Sequence, residues 1–122
     1  MFRMIYKSKI QGAKVTEANL EYVGSITIDE DLLEAADILP NERVQIVNLN
    51  NGSRIETYVI PGKKRSGVMC MNGGAARWAI VGDRLLIISY AMMETKDAVV
   101  FKPKVIFVND KNRIVKKNLP SA

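Results

Sequence analysis

The sequence contains no histidine and a single cysteine, and these two shortages exclude many common active sites. Without histidine, Ser-His-Asp catalysis and most zinc sites are excluded, and the usual proton carrier near neutral pH is missing. With only Cys70, no intrachain disulfide can form, and a catalytic thiol would lack a histidine partner. Cys70 lies in the apolar stretch 68–71 and is predicted to be a small, buried hydrophobic residue. Acid–base chemistry must therefore use tyrosine, lysine, carboxylates or a less usual group.

Long hydrophobic runs are also missing. The longest apolar stretch, residues 85–93, is interrupted by Ser89 and is much shorter than the roughly 20 residues of a transmembrane helix. Residues 1–15 alternate apolar with basic or polar residues and lack the continuous apolar block of a secretion signal. We therefore expect a cytoplasmic protein that does not act at a membrane.

The 122 residues, 48% of them hydrophobic, predict one globular domain spanning residues 1–122. A net charge of +5 is compatible with nucleic-acid binding, with solvated surface charge or with an anionic small substrate. Much of the basic charge falls in residues 63–65 and 111–117, which is typical of a solvated loop and a frayed terminus. We expect no nucleic-acid partner, and we expect residues 110–122 to form a mobile tail.

Most of the chain reads as short strands, which predicts a mostly-β domain and favours a closed barrel. The predicted strands are residues 2–15, 44–49, 55–60, 85–90 and 105–108. Asn51-Gly52 lies between two of them and predicts a hairpin with a type I′ turn, because both residues tolerate positive φ. Helical insertions are expected at residues 30–36, with Asp29 as the N-cap, and at residues 73–79.

The segment Tyr22-Val23-Gly24-Ser25 is weak evidence by itself, because most Gly-Ser pairs are ordinary turns. Its surroundings are more specific. In order, they include Lys7-Ser8-Lys9-Ile10, Val15-Thr16-Glu17-Ala18-Asn19-Leu20, Ile28-Asp29-Glu30-Asp31-Leu32, Asn51-Gly52, Arg54, Thr57-Tyr58, Asn72-Gly73-Gly74-Ala75-Ala76 and Val81-Gly82-Asp83. In this order and spacing, over about residues 1–108, the chain resembles the pyruvoyl-dependent aspartate 1-decarboxylases.

The resemblance implies a double-psi β-barrel with short helical insertions, assembled as a homotetramer with sites near the subunit contacts. It implies self-cleavage between Gly24 and Ser25, which turns Ser25 into a pyruvoyl group. That group, with no metal and no pyridoxal phosphate, would form a Schiff base with L-aspartate. Loss of CO₂ would then give β-alanine for pantothenate and coenzyme A synthesis.

The resemblance also assigns roles to individual residues. Ser25 carries the catalytic group, and Tyr58 donates a proton to the carbanion. Thr57 assists processing at Gly24 by stabilising an oxyanion and also contacts substrate. The remaining substrate-binding positions are Lys9, Arg54, Asn72, Gly73, Gly74 and Ala75.

Elementary chemistry suits several of these assignments. Decarboxylation of an amino acid leaves a carbanion that needs an electron sink, which no ordinary side chain provides. Glycine before the serine leaves the attacked carbonyl unhindered and allows a strained backbone. Arginine is a natural partner for a carboxylate. Two alternatives remain open: a non-catalytic barrel that binds nucleic acid or a partner, and an enzyme that needs help to process itself.

Overall fold

In the computed structural model, which describes residues 1–116, the chain folds into a mixed β-sheet with short helices. The strands in these residues are β1 Phe2–Lys14, β2 Glu17–Asn19, β3 Ile26–Asp29, β4 Arg43–Asn48, β5 Arg54–Gly62, β6 Met69–Asn72, β7 Arg84–Glu94, β8 Lys104–Val108 and β9 Ile114–Val115. The helices are α1 Glu30–Ala36, α2 Thr95–Ala98 and a 3₁₀ helix, Gly73–Trp78.

The strands follow the order β2-β6-β3-β5-β4-β7-β1-β8-β9 across the sheet. The β1–β8, β2–β6 and β3–β5 pairs are parallel, whereas the other neighbours are antiparallel. This mixed arrangement fits a barrel-like fold. The expectation of a mostly-β barrel with short helical insertions is confirmed.

The core follows from alternation along the strands. In β4, Val44, Ile46 and Asn48 are buried while the residues between them are more exposed. β1 and β7 pair along almost their whole length and each contributes buried aliphatic side chains, among them Ile10 and Ile87. Burial of this apolar surface contributes about 25 cal/mol per Å². The same core supports β3 and β6, two short strands beside the Gly24-Ser25 peptide.

The β4–β5 hairpin is confirmed, but the predicted type I′ turn is wrong. A type I′ turn needs positive φ at both central residues, and here Gly52 has φ +79° whereas Asn51 does not have a positive φ. The connection is a longer loop in which Asn48 Oδ1 accepts a hydrogen bond from the Asn50 amide at 2.9 Å. The Gly52 amide donates to the Asn48 carbonyl at 2.8 Å. The Asn48 side chain thus supplies contacts that a two-residue turn does not need.

Asp29, the last residue of β3, connects three segments of the chain. It is the N-cap of α1, as predicted, because its Oδ1 accepts a hydrogen bond from the Asp31 amide at 2.8 Å. The same carboxylate accepts from the Arg65 amide at 3.2 Å and from the Gly67 amide at 2.8 Å. Asp29 is only 1% exposed. It therefore fixes the end of β3 against both α1 and the 63–67 loop.

Part of the segment expected to be a mobile tail makes specific contacts. Asn112 is 1% exposed, accepts from the Lys14 amide at 2.8 Å and donates to the Gly67 carbonyl at 2.8 Å. β9 pairs with β8. Residues 110–116 are thus tied to β1 and to the 63–67 loop, whereas residues 117–122 lie outside the described residues.

Candidate functional site

The Gly24-Ser25 peptide lies where the chain turns into β3. Both residues adopt left-handed backbone conformations, with φ +57° at Gly24 and φ +79° at Ser25. Glycine tolerates this region, but for serine it is uncommon and costs of the order of 1 kcal/mol or more. Two successive left-handed residues bend the segment out of the sheet direction just before Ile26 starts β3. The backbone is therefore strained at the predicted cleavage point.

The Ser25 hydroxyl is buried without a hydrogen bond. Ser25 is 3% exposed, and its Oγ has no hydrogen-bond partner among the described residues. Leaving a buried hydroxyl unpaired costs roughly 1–3 kcal/mol, so such groups are rare in native proteins. The Ser25 carbonyl, in contrast, accepts a hydrogen bond from the Asn72 amide at 2.8 Å. Ser25 thus has a fixed backbone and an unpaired nucleophile.

An open cleft of about 420 Å³ lies over this peptide and is called the Ser25 cleft below. Its lining residues are Gly24, Ser25, Ile55, Glu56, Thr57, Tyr58, Asn72, Gly74, Ala75 and Trp78. Seven of the ten site residues predicted from the sequence are in this set, although they come from three separate stretches of the chain. The structure therefore brings most of the predicted site into one place.

Thr57 and Tyr58 both border the cleft, although neighbouring strand residues normally face opposite sides of a sheet. The β3–β5 pairing explains how this is possible. β3 begins at Ile26, which pairs with Val59, so β3 does not cover the part of β5 that precedes Val59. Because the sheet is open there, side chains on either face of β5 can reach the space beside Gly24 and Ser25.

The hydroxyl of Tyr58 lies directly against Gly24. A Cβ atom added to Gly24 would overlap Tyr58 Oη and would lie only 3.0 Å from Tyr58 Cζ. Glycine is therefore required at this position for two reasons, its positive φ and the nearness of the phenol. Since the Tyr58 side chain is partly exposed, its hydroxyl is within reach of the cleft solvent.

The start of the 3₁₀ helix forms the opposite wall. Gly73 has φ +56°, and a Cβ there would lie 3.1 Å from the Tyr22 carbonyl oxygen and 3.6 Å from the Gly24 nitrogen. This close approach brings the 22–24 backbone against the helix start. Gly74 has open space where its side chain would be. Gly74 and Ala75 thus line the cleft, whereas Gly73 packs against the 22–24 backbone and is not among the lining residues.

Two predicted substrate-binding residues lie elsewhere in the described chain. Neither Lys9 nor Arg54 lines the Ser25 cleft. Lys9 Nζ lies 4.8 Å from the centre of the Tyr6 ring, and Arg54 donates to Gln45 Oε1 at 2.7 Å. β4 and β7 separate β1, which carries Lys9, from β5. A single chain therefore does not bring these two cations and Ser25 together.

The sequence analysis missed several residues beside the site. Ile55, Glu56 and Trp78 line the cleft, and no motif indicated them. The nearby Glu17 carboxylate raises the pKa of the Tyr22 phenol. Cys70 is buried as predicted, but its Sγ donates to Asn72 Oδ1 at 3.0 Å. Polar contacts between strands depend on β-sheet register, which the residue pattern did not reveal.

The basic loop at residues 63–65 is engaged within the chain. Lys64 Nζ lies 2.8 Å from Glu34 Oε1 and 3.4 Å from Asp31 Oδ1, and the hydrogen bond to Glu34 raises the pKa of Lys64. Arg113 donates to the Arg65 carbonyl at 2.6 Å.

In residues 1–116, no helix has the length and apolar character needed to cross a bilayer. The same residues contain no cluster of three or more potential metal-binding histidine, cysteine or acidic side chains.

Comparison with known proteins gives one consistent result. Residues 1–115 match the family described as Aspartate decarboxylase. Among similar proteins is the aspartate 1-decarboxylase of Carboxydothermus hydrogenoformans, 60% identical over 95% of this chain and 91% of the relative. The enzymes of that name from Desulfitobacterium hafniense and Bacillus subtilis are 61% and 59% identical, over 95% and 93% of this chain and 91% and 90% of their own lengths. With this match over nearly its whole length, the chain belongs to the aspartate decarboxylase family.

Proposed function

We propose that this protein cleaves itself between Gly24 and Ser25, converts Ser25 to a pyruvoyl group and then decarboxylates L-aspartate to β-alanine and CO₂. Membership of the aspartate decarboxylase family supports the overall reaction. The observation that carries the self-processing step is the buried, unpaired Ser25 Oγ next to a left-handed Gly24. Strain and an unsatisfied polar group at one position are typical of functional sites.

In the first step, Ser25 Oγ attacks the carbonyl carbon of Gly24. The new C–O bond replaces the Gly24–Ser25 C–N bond, and the hydroxyl proton passes to the freed nitrogen, which gives an ester and an amine. The unpaired Oγ loses no hydrogen bond when it attacks, and Gly24 has no Cβ to obstruct it. We assign Thr57, which lines the same cleft, to stabilise the oxyanion on the Gly24 carbonyl.

In the second step, the ester is eliminated. The Ser25 Cα–H gives up its proton, the Cβ–O bond breaks, and Gly24 leaves as a carboxylate. Water then hydrolyses the resulting enamine and releases ammonia, which leaves a ketone on residue 25. The products are a chain of residues 1–24 and a chain that starts at the modified residue 25. Both steps use only this chain and water.

The residues around Ser25 fit such a group. The unpaired hydroxyl is the atom that processing removes, and the Ser25 carbonyl that would neighbour the ketone is already held by the Asn72 amide. A pyruvoyl group there would supply the electron sink that decarboxylation of an amino acid needs. The backbone of Gly73, Gly74 and Ala75, which has open space at Gly74, is assigned to contact the substrate.

Tyr58 is assigned as the proton donor that completes β-alanine. Its phenol lies against Gly24 and lines the Ser25 cleft, so it can deliver a proton close to residue 25. A phenol O–H can donate a proton, which suits this task in a chain that lacks histidine. Tyr58 therefore supplies the acid of the reaction in this proposal.

We further propose that the single domain of residues 1–122 assembles in the cytoplasm as a homotetramer whose neighbouring subunits supply Lys9 and Arg54. Aspartate carries two carboxylates, which these cations would bind. Their positions outside the Ser25 cleft of their own chain support a shared site. Large apolar side chains that the single chain leaves exposed also support assembly; they include Phe2, Met4, Met92, Val99 and Val100.

A direct test compares the wild-type chain with Ser25→Ala. We expect the wild type to release β-alanine from L-aspartate and the variant to remain uncleaved and inactive. Production of β-alanine by folded Ser25→Ala would overturn the pyruvoyl mechanism. Circular dichroism of both proteins controls for folding.

A further inference from the structure

A short chain of hydrogen bonds joins β6 to β3 behind Ser25. Asn72, which is 4% exposed, accepts from Cys70 Sγ at 3.0 Å through Oδ1 and donates to Thr27 Oγ1 at 2.9 Å through Nδ2. These three residues are called the Asn72 clamp. Because both ends of the buried amide are engaged, the clamp fixes the orientation of the Asn72 side chain.

The strand register places the Asn72 clamp at the cleavage point. Thr27 pairs directly with Cys70 across the antiparallel β3–β6 ladder. Asn72 lies two residues beyond Cys70, and its backbone amide donates to the Ser25 carbonyl at 2.8 Å. The same residue therefore holds β3 with its side chain and Ser25 with its backbone.

The Cys70 thiol is suited to donate in this arrangement. Burial raises its pKa, and the nearby Glu17 carboxylate raises it further, so the sulfur keeps its proton near neutral pH. A protonated thiol can donate to Asn72 Oδ1. The amide NH₂ group is then directed toward Thr27, which accepts the hydrogen bond.

We propose that Thr27 and Cys70 are positioning residues for self-cleavage, which act through Asn72 on the backbone of Ser25. Ser25 must keep its left-handed conformation for its unpaired Oγ to stay near the Gly24 carbonyl carbon. Loss of a clamp contact leaves Asn72 free to shift and lets the Ser25 carbonyl move with it. Small displacements of a reacting group cause large losses of rate. The consequence for cleavage rests on the proposed function, whereas the hydrogen bonds themselves do not.

The first experiment measures the rate of cleavage of freshly translated full-length chain by intact mass. Thr27→Val preserves the shape of the side chain but removes the hydroxyl, and we expect cleavage to slow about tenfold. Thr27→Ser keeps a hydroxyl and should cleave within about threefold of wild type. Cys70→Ala and Cys70→Ser form a second matched pair. We expect Cys70→Ala to cleave more slowly than Cys70→Ser, since serine restores an O–H donor. Melting temperatures, measured on the same proteins, separate a loss of stability from a loss of cleavage rate.

A second experiment observes the thiol directly. Because Cys70 is the only cysteine, the S–H stretching band in the infrared spectrum reports this one group. We expect the band to shift toward the frequency of a free thiol in Asn72→Ala and to stay unchanged in Glu17→Gln. This measurement does not require cleavage or activity.

The outcomes distinguish the two proposals. If the wild type never cleaves, the proposed function fails, and the infrared band still tests the Asn72 clamp. If the wild type cleaves and Thr27→Val cleaves at the same rate, the positioning role is wrong. A band that shifts in Glu17→Gln but not in Asn72→Ala would also overturn the proposal, because the thiol would then donate to Glu17. If Thr27→Val does not fold, the Cys70→Ala and Cys70→Ser rates decide the matter.

Discussion

The phenol of Tyr58 occupies the space that a side chain on residue 24 would need. A Cβ on Gly24 would overlap Tyr58 Oη, and the φ of +57° at this residue is itself unfavourable for other amino acids. The proposed acid of the decarboxylation therefore also limits which residue can precede Ser25. This contact connects the proposed processing step to the proposed catalytic step.

Gly24→Ala should slow self-cleavage at least 100-fold, because the methyl group and the phenol cannot both keep their positions. The double variant Gly24→Ala/Tyr58→Phe should recover part of the rate, since it removes the overlapping oxygen. Time courses of intact mass would measure both rates.

Gly52→Ala is a suitable control for Gly24→Ala. Gly52 has a positive φ of +79°, but no atom lies within 4 Å of a Cβ added there. This variant should lose about 1 kcal/mol of unfolding free energy and cleave normally. Equal cleavage by Gly24→Ala and wild type would contradict the steric argument.

Tyr58→Phe should separate the two reactions. We expect the variant to cleave between Gly24 and Ser25, because the phenol oxygen is not needed for the attack of Ser25 Oγ. Turnover of L-aspartate should fall by about 100-fold or more, the usual contribution of a general acid. The measurements are intact mass and a β-alanine assay on the cleaved protein. Full turnover would remove Tyr58 as the proton donor.

Mixed assemblies should reveal whether neighbouring chains share a site. Ser25→Ala lacks the nucleophile, and Arg54→Ala lacks the proposed carboxylate ligand, so each variant alone should be inactive. When the two chains are expressed together, some sites should combine an intact Ser25 with an intact Arg54 from the neighbour. We expect partial recovery of β-alanine formation. No recovery in mixed assemblies would indicate that Arg54 serves only its own chain.

Asp29 should be a strong determinant of stability. Its buried carboxylate accepts hydrogen bonds from the amides of Asp31, Arg65 and Gly67. Asp29→Ala removes the helix cap and leaves the loop amides unpaired, so we expect a loss of about 2–4 kcal/mol in unfolding free energy. Asp110→Ala removes an exposed ion pair with Arg84 and should lower the unfolding free energy far less than Asp29→Ala does. Denaturant titration would compare the unfolding free energies of the two variants. Equal losses in Asp29→Ala and Asp110→Ala would contradict the role of Asp29.

The buried thiol predicts a loss of stability at alkaline pH. Burial raises the pKa of Cys70 in the folded chain above its unfolded value of about 8.5. The neutral thiol therefore makes its full contribution to the unfolding free energy below the unfolded-state pKa. This contribution is lost as the pH rises through the folded-state pKa. Unfolding free energies measured between pH 7 and 10 should fall less steeply for Cys70→Ser than for wild type. Parallel curves would exclude this linkage.

The residue pattern predicted the parts of the fold that rest on local signals. Alternation in β1 and the β-branched runs of β4 and β5 identified those strands, and Asp29 identified the start of α1. The short strands β2, β3 and β6 carry no such signal, because three or four residues are too few to show a period. Their pairing is decided by contacts between distant parts of the chain.

The candidate site likewise contains residues that the sequence indicated and residues that only the contacts between strands reveal. Resemblance to a family identified Gly24, Ser25, Thr57 and Tyr58, which the structure brings together around one cleft. It did not indicate Thr27 or Cys70, because their contacts with Asn72 depend on the register between β3 and β6. Nor could one chain's sequence reveal which residues a neighbouring copy would contribute in the proposed homotetramer.

Intact mass under denaturing conditions tests the central claim most directly. After prolonged warming, the wild-type chain should yield two pieces that divide between Gly24 and Ser25. The larger piece should lack a readable amino terminus and should have the mass of residues 25–122 with residue 25 as pyruvoyl, in which Cα carries a ketone in place of the amine and Cβ has become a methyl group. A single uncleaved mass would contradict self-sufficient processing. Two pieces whose larger member retains an intact serine amino terminus would contradict the conversion of Ser25 to a pyruvoyl group.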